Sequence, residues 1–107
     1  MIIRFHPDAE QEYHEAASWY AEQRPGLDAD FLLCVDEAFQ RIRCHPEMYP
    51  IAYHQKRRAV VRRFPYSIYY EVGENELRIL SVFHSSRNPE IWQSLILLTN
   101  PNSQSIL

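Results

Sequence analysis

Apolar residues in the first 45 positions recur every three or four residues. Ala9, Tyr13, Ala16, Ala17 and Tyr20 form one series, and Phe31, Leu32, Val35, Ala38, Phe39 and Ile42 form a second. That spacing places each series on one face of an α-helix. Pro7 suits the first turn of the first helix, where the helix dipole favours Asp8 and Glu10. "RPG" at 24–26 closes it. The second helix runs from about Asp28 to near His45, because Pro46 disfavours helix at the residue before it. A break this short predicts an antiparallel helical hairpin.

The flanking segments carry strand patterns. "IIRF" alternates Ile3 and Phe5 on one face and suits a short first strand. "HPEMYP" reads as a loop, and residues 57–64 as a strand whose far end is "VRRF". Pro65 interrupts it; Tyr66 to Val72 and Leu77 to His84 then pair across "GEN" as a hairpin. Both alternating faces of "LRILSVFH" are mainly apolar, the mark of a central strand covered on two sides. Pro89 opens a short final helix through Trp92 and Leu95, and "TNPNSQSIL" is polar and expected to be loose. The order predicts an α+β domain: an N-terminal strand, an antiparallel two-helix hairpin packed on a mainly antiparallel β-sheet, and a short C-terminal helix. Residues 1–95 form the one domain and 96–107 the tail. Phe31, Val35, Phe39, Tyr69, Ile79 and Val82 are expected in its core.

Composition adds limits. A chain of 107 residues holds one hydrophobic core, and 46% hydrophobic with 23% charged residues describes an ordinary globular protein. No apolar stretch approaches the roughly 20 residues needed to span a bilayer. The start, "MIIRFHPDAEQ", has no apolar signal-peptide region, so a cytoplasmic location is expected. Cys34 and Cys44 stand ten residues apart in one predicted helix, roughly 15 Å at about 1.5 Å per residue, too far for an internal disulfide. Both are expected as small buried hydrophobes. Trp19, Tyr13 and Tyr20, at helical spacing, are expected in the core.

Charge changes the picture more. The net charge is −3, but residues 1–50 carry −6 and residues 51–107 carry +3, and all the bases except Lys56 are arginine. An acidic chain is a poor bulk binder of nucleic acid, whereas a basic second half permits a local anion site. Lys56, Arg57, Arg58, Arg62, Arg63 and Arg87 are the candidates. Strand alternation puts 58 and 62 on one face and 57 and 63 on the other, so the six do not form a single patch. Surface arginines are mostly only solvated. Arg62 and Arg63 stand out because Phe64 and an aromatic strand exclude water beside them, which strengthens contact with carboxylate or phosphate. Arg58, Arg62, Arg63 and Arg87 are the expected partner- or anion-binding residues.

His84 with Arg87 is a second candidate, at the mouth of a loop. Cleavage of RNA through the ribose 2′-hydroxyl needs a base, an acid and cations around one phosphate. His84 would serve as base or acid, with Arg63 and Arg87 as stabilisers. The plainer reading is a histidine that only hydrogen-bonds backbone at a strand end. No H-x-H, C-x-x-C or H-E-x-x-H pattern occurs, and the two glycines form no phosphate loop, so no metal and no cofactor are expected.

Several stretches go together: "FHPDAEQEY" through "WY", "RPGLDADF", "HPEMYP", "RRFPYSIYYEV" and "LRILSVFHSSRNPEIW". In combination, over roughly residues 2 to 95, they resemble the RelE/ParE toxins of bacterial type II toxin–antitoxin (plasmid stabilisation) modules. The resemblance implies a small toxin neutralised by a cognate antitoxin that wraps around it. ParE-like members poison DNA gyrase, whereas RelE-like members cleave mRNA on the ribosome. Many of the mRNA-cleaving relatives carry an aromatic or basic residue near the histidine. Here Ser85 and Ser86 follow His84, and no tyrosine occurs after Tyr70. That departure favours a ParE-like, non-enzymatic binding protein. The alternative is a ribosome-dependent mRNA endonuclease using His84, Arg63 and Arg87. A third reading is a degenerate member that binds its antitoxin and has lost toxicity.

Overall fold

The computed structural model describes residues 2–85. Strand β1 (Ile2–Phe5) leads into helix α1 (Pro7–Gln23) and helix α2 (Leu27–Cys44). Strands β2 (Ile51–Tyr53), β3 (Lys56–Val60), β4 (Tyr66–Gly73) and β5 (Glu76–His84) follow. The four later strands form an antiparallel meander. It begins at one sheet edge and brings β5 back beside β1, which pairs with it in parallel, so the order is β1-β5-β4-β3-β2.

The helix ends follow local chemistry. His6 caps α1, its Nδ1 accepting from the Asp8 N–H at 3.1 Å, and Pro7 occupies the first turn. The hairpin turns at Gly26, whose φ of 86° lies in the left-handed region that glycine enters at little cost. Asp28 and Asp30 at the start of α2 and Arg41 and Arg43 at its end all complement the helix dipole.

Both helices pack on one face of the sheet. Ala9, Ala16 and Tyr20 of α1 and Phe31, Cys34, Val35, Ala38, Phe39 and Ile42 of α2 meet Ala59, Ile68, Tyr70, Leu77, Ile79 and Val82. Burying one such large apolar side chain contributes roughly 1.5–3 kcal/mol. Tyr69, Leu80 and Phe83 form a separate buried cluster, so β5 is apolar on both faces as its pattern predicts. Of the six expected core residues all are buried, but Tyr69 belongs to this second cluster.

Other expectations are corrected. The strand read at 57–64 stops at Val60: Arg63 takes a φ of 70°, and the Val61 N–H bonds the Tyr66 carbonyl, which folds 61–65 into a turn. The short edge strand β2 lies just beyond "HPEMYP" and has too little pattern to declare itself. Leu32 and Cys44 are exposed, Cys34 taking the buried place on α2. Trp19 is 54% exposed, because the buried stripe of α1 runs through Ala9, Ala16 and Tyr20 and leaves Trp19 at its border. Arg87, the helix read at 89–95 and the tail read at 96–107 lie outside the described residues.

Candidate partner-binding surface and the His84 cavity

The basic residues divide between two faces. Lys56 is only 1% exposed, its Nζ 3.5 Å from Glu71 Oε2. Glu71 Oε1 accepts from Arg78 at 2.7 Å, Arg78 reaches Glu76 at 3.1 Å, and Glu76 pairs with Arg4 at 2.7 Å. This ion-pair chain crosses the sheet from β3 to β1 on the side away from the helices. Hydrogen bonding from Arg78 to Glu71 is the main reason its pKa rises above the ordinary guanidinium value. The only lysine is thus a structural residue, inaccessible to an anionic partner. Arg58 lies on the same side, its Nε donating to Ser67 Oγ at 3.0 Å. Arg57 turns the other way and donates to the carbonyls of Glu47 and Tyr49, which ties the α2–β2 loop to the sheet.

Arg62 and Arg63 sit in the turn after β3 and face α2. Arg62 Nη1 lies 2.9 Å from Glu37 Oε1, which is also 3.9 Å from Arg41 Nε. Arg63 Nη2 lies 3.9 Å from Asp30 Oδ2, which is 3.8 Å from Arg24 Nη2. The side chains of Arg62 and Arg63 are 67% and 64% exposed, so the partial exclusion of water expected from Phe64 does not extend to them. Phe64 itself turns inward against Tyr20 and Phe31, with the Arg63 guanidinium 5.9 Å from its ring. The fold therefore brings Arg62 and Arg63 together on the α2 edge and places Arg58 elsewhere. Sequence alternation could not find Arg24 and Arg41 as their neighbours, since they come from the ends of the two helices.

His84 ends β5 beside Tyr66, ring centroids 5.1 Å apart. It lines an open cavity of about 430 Å³ with Glu12, Glu15, Ala16, Trp19, Tyr20, Tyr66 and Val82. Among the described residues this cavity carries two carboxylates and no guanidinium. Glu12, which no sequence signal marks, is fixed by a β-bulge. Ser81 pairs with Tyr69 and Ile79 with Tyr70, so Leu80 is the extra residue. The Ser81 hydroxyl and the Val82 N–H both donate to Glu12 Oε1, at 2.9 and 3.1 Å. A helix carboxylate thereby satisfies backbone at the interruption of the ladder. No group of His, Cys, Asp and Glu among the described residues could hold a metal ion.

Residues 3–89 match the family model described as the ParE toxin of the type II toxin–antitoxin system parDE. The chain belongs to the ParE toxin family. It is 31% identical over 88 residues to Toxin ParE2 from two strains of Mycobacterium tuberculosis, covering 81% of this chain and 84% of the relative. Its fold matches a chain of a structure described as the chromosomal ParDE TA system from P. aeruginosa, with a TM-score of 0.70 at 16% identity. That match covers 78% of this chain and 95% of the other. These matches bear out the ParE-like recognition and the α+β hairpin-on-sheet expectation. Among the described residues no helix is long and apolar enough to cross a membrane.

Proposed function

We propose that this ParE-family toxin is held inactive by a cognate antitoxin and, when free, acts by binding DNA gyrase rather than by cutting RNA. Family membership supports the module, and the setting of His84 carries the choice of mechanism. In-line attack by a 2′-hydroxyl on its own phosphodiester needs a proton acceptor, a proton donor and cations gathered at one phosphate. The described wall of the His84 cavity instead presents Glu12 and Glu15, which repel a phosphodiester. Arg63 is directed to Asp30 on α2. Guanidinium groups, with pKa above about 12, are also poor proton shuttles at neutral pH.

The test is to express the chain without its antitoxin and assay gyrase supercoiling and mRNA integrity in parallel. Growth arrest, inhibited supercoiling and intact mRNA are expected, with toxicity retained in His84→Ala. Codon-phased cleavage on programmed ribosomes, abolished by His84→Ala, would overturn this reading in favour of the endonuclease.

A further inference from the structure

Leu33 is 69% exposed on α2, on the side of the helix opposite the face that fills the core. Three residues before it is Asp30 and four after it is Glu37, so all three share one face of the helix. Each of these carboxylates is shared by two arginines, Arg24 and Arg63 at Asp30 and Arg41 and Arg62 at Glu37. Four guanidiniums meet Asp30 and Glu37 here, and even with Asp36, three residues after Leu33, they outnumber the carboxylates in a chain whose net charge is −3. We infer that the outer edge of α2 and the turn at 61–65 form the docking surface for an acidic amphipathic segment of the antitoxin, with Leu33 as its apolar anchor. The inference rests on the antitoxin reading above and specifies where, and by what chemistry, that partner is held.

Three features fit this occupant. Both arginine contacts to Asp30, at 3.8 and 3.9 Å, are ion pairs beyond hydrogen-bond range. An incoming carboxylate gives those planar donors the bidentate bonds that Asp30 does not. An exposed apolar side chain on the same helix face as the Asp30 and Glu37 ion pairs matches the usual anatomy of an interface, an apolar centre with a polar rim. Last, Arg63 adopts a φ of 70°, a conformation costly for a residue with a Cβ. The surrounding packing imposes it: Phe64 is buried against Tyr20 and Phe31, and this leaves Arg62 and Arg63 on the outside. Nucleic acid fits less well, since its backbone has no apolar group to set against Leu33, whereas an amphipathic segment does.

The experiment uses the full chain and the antitoxin encoded by the adjoining reading frame, with affinity measured at low and moderate salt. Leu33→Asp should weaken binding about 10-fold, and the double variant Arg62→Glu, Arg63→Glu about 100-fold at low salt with a shallower salt dependence. Leu33→Asp should keep the wild-type melting temperature, whereas the double variant sets carboxylates beside Glu37 and Asp30 and should melt somewhat lower while staying folded at the assay temperature. Hydrogen exchange at 61–65 should slow in the wild-type complex. Tight binding that neither variant weakens would overturn the surface and leave the antitoxin reading standing. No binding by the wild-type chain would overturn both. Stronger protection of 61–65 by a duplex DNA oligonucleotide than by the antitoxin would replace the acidic segment with nucleic acid.

Discussion

Replacing Tyr70 by phenylalanine removes a single oxygen atom from the interior. That hydroxyl donates to the carbonyl of Pro46 at 2.6 Å, in the loop that leaves α2. The ring is fully buried, with Tyr49 edge-on to it at 6.5 Å. Tyr70 and Arg57 between them hold the carbonyls of Pro46, Glu47 and Tyr49, and so fix the path from the helical layer to the sheet. A neutral hydrogen bond of this kind contributes about 1 kcal/mol net. Leaving the Pro46 carbonyl without its donor brings the cost of Tyr70→Phe to about 2 kcal/mol at neutral pH.

The same hydroxyl gives the protein an alkaline limit. Burial pushes the Tyr70 pKa from 10.0 up to about 12, with Arg57 opposing and Tyr49 reinforcing the rise. The unfolded chain releases this proton at lower pH than the folded one. The stabilisation is therefore fully present below pH 10 and is lost as pH rises through about 12. At about 1.4 kcal/mol per pKa unit, the complete loss is roughly 3 kcal/mol. Urea denaturation at a series of pH values, run on the wild-type and Tyr70→Phe chains, measures both effects. The variant should start less stable and fall less steeply with alkalinity. Its slope should not vanish, because burial also raises Tyr13, Tyr20 and Tyr69. Identical alkaline slopes would refute the assignment to Tyr70, and equal stability at neutral pH would refute the role given to its hydrogen bond.

Two further outcomes follow from the packing. Phe39 lies edge-on to Phe5 at 5.3 Å and to Tyr13 at 6.1 Å, joining α2 to β1 and α1. Phe39→Ala should cost about 3–5 kcal/mol by chemical denaturation, and an unaffected midpoint would count against this packing. Glu12→Ala should cost about 1–3 kcal/mol by withdrawing the acceptor of the Val82 N–H at the bulge. Ser81→Ala, which spares that backbone bond, should be milder, and the reverse order would show that the hydroxyl matters more.

Much of this protein is determined by neighbours in sequence. The spacing of Ala9, Ala16 and Tyr20 and of Phe31, Val35, Ala38 and Ile42 dictates two amphipathic helices, because helical period is a local property. Pro7, "RPG" and Pro46 bound those helices because they constrain their own backbone. Alternation likewise marks β5 as covered on both faces, and the combined "RRFPYSIYYEV" and "LRILSVFH" stretches already resemble the toxin family. Only the tertiary structure decides what depends on residues far apart in the chain. The bulge at Leu80 makes Glu12, about 70 positions earlier, the acceptor of the Val82 N–H. Lys56 looks like one more surface base until Glu71 meets it inside the sheet. Arg62 and Arg63 look like a strand pair of opposite faces until the left-handed residue at 63 turns both towards Glu37 and Asp30. Leu32 and Trp19 fit the helical spacing yet stay exposed, because one sheet face can cover only one stripe of each helix. Period and punctuation act over a few residues; burial, charge pairing and a binding edge are set by which elements meet.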